Sequence, residues 1–169
     1  GAVVAPTAGF HFSRELMKRM EIKGIDSAYV TLHSGLGNFR AIEVEDLTKH
    51  KMDSEQMEIN EQNANLINKT KEKENKVCIV GTTTMKAVET AAITGNRVKV
   101  YSGWSNKFIF PHYNFDIADA MITNFHPPLS SMLMMVSAFG GYDLIMEAYK
   151  HAVEKEYKFL TYGDAMLII

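Results

Sequence analysis

The stretch from Lys76 to Tyr101 constrains the fold most. A short apolar run, Lys76 to Val80, gives way to an amphipathic segment with Met85, Val88 and Ala92 on one face, stopped at Gly95. A second apolar run follows from Val98 to Tyr101. Strand, helix and strand in so few residues predict a parallel pair joined by a crossover helix, the unit from which α/β sheets are built.

The rest of the chain repeats this alternation. Val3-Val4 reads as the end of a strand, Ser13 to Lys23 as a helix carrying Leu16, Met17 and Met20, and Ile25 to Leu32 as another strand. Asn60 to Lys73 reads as a polar helix with Ala64 and Ile67 inward, and Ile117 to Ile122 as a strand. Ser130 is placed to cap a helix bearing Leu133, Met134 and Val136. Gly140-Gly141 breaks that helix, and Tyr142 to Glu156 forms the next, with Ile145, Ala148, Tyr149 and Ala152 on one face. Met132, Met134 and Met135 read as core filling. No repeat or low-complexity linker divides the 169 residues, so one α/β domain is expected.

Composition excludes several classes. The net charge of −2 argues against a module that holds nucleic acid by bulk electrostatics, without excluding a nucleic-acid substrate. No apolar run is long enough to cross a bilayer, and the expected location is cytoplasmic. The single cysteine, Cys78, cannot staple the chain and is expected in the core. The chain opens on Gly-Ala-Val-Val inside an apolar segment, which suggests an excised piece of something longer.

The segments with chemical potential all follow predicted strands, where loops of parallel α/β sheets converge and helix N-termini offer free N–H groups. They are Ala5-Pro-Thr-Ala-Gly-Phe-His11, His33-Ser-Gly-Leu-Gly37, Gly81-Thr-Thr-Thr84, Ser102-Gly-Trp104 and Thr123-Asn-Phe-His126. Gly81 to Thr84 offers backbone donors and hydroxyls for an anionic or ribose group, more than a helix cap needs. Gly35 and Gly37 allow close backbone approach or positive φ, though a turn explains them equally. His11, His33 and His126 are candidate acid/base or orienting groups, with a structural role for His11 equally open. Without His-x-x-x-His, a cysteine pair or a carboxylate cluster beside them, no metal site is expected. Trp104, with Phe108, Phe110 and Tyr113, is a candidate for base stacking, against ordinary core packing. The polar segment from Glu43 to Glu55 reads as a solvated face, or as the source of a general base if part of it lines the site. His50, His112 and His151 read as surface or packing residues. No Gly-x-Gly-x-x-Gly turn supports a dinucleotide-binding module.

In one collinear order, APTAGFHF (5–12), TLHSGLGNFR (31–40), EVEDLTKHKMDSE (43–55), GTTTMKAVE (81–89), SGW (102–104), TNFHPPLSSMLMMVSAF (123–139) and YGDAMLI (162–168) resemble the S-adenosylmethionine:tRNA ribosyltransferase-isomerase family of queuosine biosynthesis. The resemblance implies a partial barrel-like parallel sheet with surrounding helices. It places residues 1–169 as the carboxyl-terminal portion of the family's large α/β domain, without the inserted small β-barrel domain and inactive alone. It implies transfer and isomerisation of the ribosyl moiety of S-adenosylmethionine onto 7-aminomethyl-7-deazaguanine in tRNA, giving epoxyqueuosine and releasing adenine and methionine. S-adenosylmethionine is then a consumed substrate, no cofactor is needed, and the full-length member is monomeric and free of membrane.

Against that background His33, His126 and His11 are expected in catalytic roles. Substrate binding is expected from Pro6, Thr7, Gly9, Gly35, Gly37, Arg40, Gly81, Thr82, Thr83, Thr84, Trp104 and Asn124. Three departures stand out. The family's GTTSVR is GTTTMK here, so Lys86 replaces a guanidinium. Its NFHLPKS is NFHPPLS here, introducing Pro127 and replacing a lysine by Leu129. These motivate an alternative: a divergent paralogue that binds a nucleoside or RNA without the transfer.

Overall fold

The computed structural model describes residues 2–169, apart from the side chain of Phe39. The class is α/β: among the described residues five α-helices and three small sheets enclose one core. The first sheet joins β1 (Thr31–Leu32), β2 (Glu55–Ile59) and β6 (Tyr101–Ser105) in antiparallel order. The second places β7 (Ala120–Asn124) between β3 (Cys78–Val80) and β8 (Ala165–Ile168). Here β3 runs parallel to β7, with Ile79 opposite Met121, and β8 runs antiparallel. The third is a hairpin of β4 (Ala92–Ile93) and β5 (Arg97–Val98).

The expected parallel pair is real, but its partners differ. β3 does not pair with Val98 to Tyr101: Val98 returns antiparallel against Ala92 through the Gly95-Asn96 turn, and Tyr101 begins the strand that pairs with β2. The strand parallel to β3 arrives only at Ala120. The sheet is therefore mixed, and among the described residues no barrel closes.

Two other expectations contract. Of Ile25 to Leu32 only Thr31–Leu32 pairs, and Val3-Val4 is a bend rather than a strand. Cys78 is exposed rather than core, because it lies on the outward face of β3 while Ile79 points inward.

The helices follow their capping residues. In α1 (Arg14–Ile22) Ser13 accepts a hydrogen bond from Leu16 N, and in α2 (Glu61–Glu72) Asn60 accepts from Asn63 N. In α4 (Ser131–Gly140) the Ser130 hydroxyl accepts from Leu133 N and donates to Pro127 O, which ties the helix start to the preceding turn. Gly141, at φ 82°, ends α4 and starts α5 (Tyr142–Glu154). α1 buries none of its residues, so Leu16, Met17 and Met20 stay exposed or half-buried. α2 buries Ala64 and Ile67 as expected, and also Asn68. The Asn68 amide accepts from Val98 N at 2.7 Å and donates to Val98 O at 2.9 Å, acting as a one-residue strand against β5.

The core gathers Met57 and Ile59 of β2, Met121 of β7, Met135 and Val136 of α4 and Ile145 of α5 around α3 (Thr82–Ala91), whose Met85, Ala87, Val88 and Ala91 are buried. Burial of this size supplies the main driving force for the fold. Glu89, on the same helix and buried, meets the segment before β7. Its Oε1 accepts from Ile117 N (3.1 Å) and Ala118 N (3.3 Å), and its Oε2 from Asp116 N (3.1 Å) and the Tyr113 hydroxyl (3.3 Å). Asp119 closes the other end of that segment, accepting from Val77 N and pairing with Lys71 at 3.0 Å.

Candidate functional site

The polar loops converge where β3 and β7 end. Gly81 N donates to Ile122 O at 2.8 Å, extending the parallel ladder by one residue. A Cβ on Gly81 would lie 3.6 Å from Ala8 Cβ, which shows how closely the 3-10 turn Thr7–His11 lies against this corner. The amino-terminal segment also reaches the second loop, through Val3 N to Ser34 O at 2.9 Å. Ile42 N donates to Leu129 O at 2.8 Å, bringing the same loop against the turn after His126.

On one side of this corner lies a buried ion pair. Glu55 opens β2, whose inward positions are Glu55, Met57 and Ile59. At 4% exposure its carboxylate faces three donors. Oε1 accepts from Gly35 N at 2.8 Å and Asn38 Nδ2 at 2.7 Å, and Oε2 from Lys86 Nζ at 2.6 Å. The same Asn38 amide nitrogen lies 2.6 Å from the Ser34 hydroxyl. An unpaired charge at this depth would cost several kcal/mol, of order the ~3–5 kcal/mol seen on breaking such pairs. The arrangement therefore holds the 34–38 loop to the first turns of α3. Glu55 is no part of a solvated face, and Lys86 is a buried partner rather than a surface cation.

On the other side Asn124 ends β7 at 2% exposure. Its Nδ2 donates to Leu160 O and Gly163 O, both at 3.1 Å, and lies 3.4 Å from His11 Nε2. Its Oδ1 is buried with no partner among the described residues. A buried acceptor left unmatched costs roughly 1–3 kcal/mol.

His126 is buried, with Nε2 2.8 Å from the Thr123 hydroxyl, and its backbone N–H donates to the Tyr149 hydroxyl at 2.8 Å. Burial pushes the imidazole down to about 4 and the Tyr149 phenol up to about 12. A neutral, enclosed His126 suits an orienting role better than proton delivery from solvent. His33 is exposed at the end of β1, with its N–H on Gln56 O at 2.8 Å, and no described contact joins it to His126. His11 is exposed at the end of the first turn.

The remaining candidates divide. Pro6, Thr7 and Gly9 build the 3-10 turn, in which Thr7 N donates to Ala5 O and Gly9 N to Pro6 O. Gly37 packs against Asp53, where a Cβ would meet the carboxylate at 2.5 Å, and Arg40 pairs with that Asp53 at 3.6 Å on the surface. Thr82, Thr83 and Thr84 form the first turn of α3, but the N-cap is Gly81 at φ 91° and no side chain caps the helix. Trp104 stands outward on β6 opposite Gln56, 65% exposed. Phe108 packs on Phe110 and His50, and Tyr113 on Phe115, so those aromatics are packing residues. Leu129 is exposed at φ 57°. Among the described residues no group of three or more His, Cys, Asp and Glu side chains is placed to hold a metal ion. Among the described residues no helix is long and apolar enough to cross a membrane.

Hydrophobic patterning marks neither Glu55 as a strand residue nor Glu89 as a buried acceptor. The signal for Glu55 was the alternation Glu-x-Met-x-Ile, legible only if a carboxylate is allowed on the inward face.

Comparison with known proteins matches this arrangement closely. A solved S-adenosylmethionine tRNA ribosyltransferase from Thermotoga maritima superposes with a TM-score of 0.80 at 37% identity, over 96% of this chain and 52% of that one. Curated proteins named S-adenosylmethionine:tRNA ribosyltransferase-isomerase are 63% identical in Phocaeicola vulgatus and 56% identical in Flavobacterium psychrophilum, each over the whole chain. The chain spans about half the length of these relatives, 48% in both. The family described as queuosine biosynthesis protein matches residues 1–168, and the chain belongs to that family.

Proposed function

We propose that this chain supplies the strand-end loops of an S-adenosylmethionine:tRNA ribosyltransferase-isomerase. The reaction is transfer of the ribosyl moiety of S-adenosylmethionine to 7-aminomethyl-7-deazaguanine in tRNA, with rearrangement to epoxyqueuosine and loss of adenine and methionine. S-adenosylmethionine is consumed as a substrate and no further cofactor takes part. The observation that carries this reading is the meeting of the 5–11, 33–38, 81–86 and 124–126 segments at one corner, organised by the Glu55–Lys86 pair and by Asn124.

Such chemistry needs a base for the acidified proton beside the sulfonium, a proton for departing adenine, and fixed positions for both reactants. His33, exposed at the end of β1, is the candidate acid/base group. His126 is held neutral and hydrogen-bonded to Thr123, and orients the turn. Glu55, already accepting three hydrogen bonds, positions its loop. The full-length protein is expected to release adenine from S-adenosylmethionine only with tRNA bearing the aminomethyl-deazaguanine. Saturable binding without release would favour the divergent-paralogue reading instead.

A further inference from the structure

His33 is exposed, and an exposed imidazole is placed by the backbone that carries it. That backbone is pinned to consecutive residues of β2. His33 N donates to Gln56 O at 2.8 Å, and two residues on Gly35 N donates to Glu55 Oε1 at 2.8 Å. Between them Ser34 O accepts from Val3 N at 2.9 Å, and Ser34 as a whole is 3% exposed.

Asn38 is a donor to Glu55, yet it also reaches the residue next to His33. It lies in the 3-10 turn Leu36–Phe39, and its Nδ2 donates to Glu55 Oε1 at 2.7 Å and to the Ser34 hydroxyl at 2.6 Å. Both amide hydrogens are therefore committed. The orientation of the amide is unambiguous, because an ionised carboxylate accepts and never donates. Lys86 is a point donor on the other oxygen, Oε2, so the loop and not the cation decides how Oε1 is bound. Truncating Asn38 leaves the Ser34 hydroxyl enclosed without this partner, and Gly35 N as the single remaining bond from the loop to Glu55.

We propose that Asn38 is a positioning residue for His33: by bridging Ser34 and Glu55 it fixes the backbone after His33 against β2, and so sets where the imidazole stands. The role of that imidazole as acid or base rests on the proposed reaction; its placement does not.

The test uses the full-length protein and adenine release from S-adenosylmethionine in the presence of an anticodon stem-loop RNA carrying 7-aminomethyl-7-deazaguanine. Asn38→Ala is expected to lower kcat by roughly 10- to 100-fold, the order of a 1 Å misplacement, with little change in KM for either substrate. Asn38→Asp keeps the shape but loses the donors, and is expected to lose at least as much. In a His33→Ala background Asn38→Ala is expected to cost less than about twofold more, the tolerance of a double-mutant cycle, because the imidazole it places is gone. Ser34→Ala, which leaves the bond to Glu55, is expected to stay folded and to slow turnover in the same His33-dependent way; it carries the test if Asn38→Ala unfolds. Unchanged kcat in Asn38→Ala, full activity in Asn38→Asp, or an equal loss with and without His33 overturns the proposal. Imidazole signals in NMR test the placement separately from the reaction. Asn38→Ala is expected to shift those of His33 and leave those of His126 in place, and unmoved His33 signals overturn the proposal whatever the turnover. A wild-type protein that releases no adenine while those signals shift would refute the reaction and leave the placement standing.

Discussion

Removing the cation from the buried pair by Lys86→Met tests whether the site is organised by charge. At 2.6 Å and an effective dielectric constant of about 20, the attraction is about 6 kcal/mol, offset by several kcal/mol of desolvation per ion. The pair as a whole is therefore close to neutral for stability. Its halves are not. Without Lys86 the Glu55 carboxylate, 4% exposed, keeps only the two donors on Oε1, and a loss of about 3–5 kcal/mol is expected. Glu55→Gln should cost a similar amount, by setting amide hydrogens against the ammonium. The double substitution removes both charges while the glutamine oxygen still accepts from Gly35 N and Asn38 Nδ2. It should cost less than the sum of the singles by about 1–3 kcal/mol. Urea unfolding followed by far-ultraviolet circular dichroism reads this through the loss of the five helices. A fall in midpoint of more than about 1 M is expected for Lys86→Met at unchanged slope. Additivity of the two substitutions within about 0.5 kcal/mol would refute the reasoning.

Other expectations follow from single contacts. Tyr149→Phe removes the acceptor of the His126 backbone N–H and should destabilise by about 1–3 kcal/mol, read by thermal melting; an unchanged melting temperature would show that the bond contributes nothing. Gly81→Ala places a side chain at φ 91°, and a loss of about 1–3 kcal/mol with slower turnover is expected, while a neutral outcome would mean that the corner relaxes freely. Because the folded His126 titrates near 4 and the unfolded one near 6.5, the unfolded state binds more protons in between, and stability falls as pH drops through that window. The shift amounts to about 3 kcal/mol lost between pH 6.5 and 4, and His126→Gln should flatten that part of the urea-midpoint profile.

The helices were legible wherever a cap and a periodic face coincided. Asn60, Ser130 and the Gly140-Gly141 break marked α2, α4 and the start of α5 within a residue or two. The polar strand-end loops were legible because helix starts and strand ends leave recognisable residues. Strand partners were not. Val98 and Ala120 are both apolar and follow β3, and only the tight Gly95-Asn96 turn and the distant Lys71–Asp119 pair decide that the second one lies beside it. β2 was hidden for a different reason: its inward charge is matched by a lysine remote in sequence, and hydrophobic patterning assigns no inward place to glutamate. Among the histidines, type and position marked three alike, and burial separated the enclosed His126 from the exposed His11 and His33.

The Glu89 carboxylate makes the two sides of the corner depend on one helix. The segment from 106 to 119 contains no helix or strand, and its consecutive amides at 116, 117 and 118 find their acceptor in that one side chain. Apart from a turn closed by Tyr113 N on Phe110 O, the segment is held in place by α3. It is also the segment that delivers the chain to β7, and so to Asn124. The same helix carries Lys86 to Glu55. α3 therefore fixes both sides of the corner, and a change that shifts this one helix displaces both together.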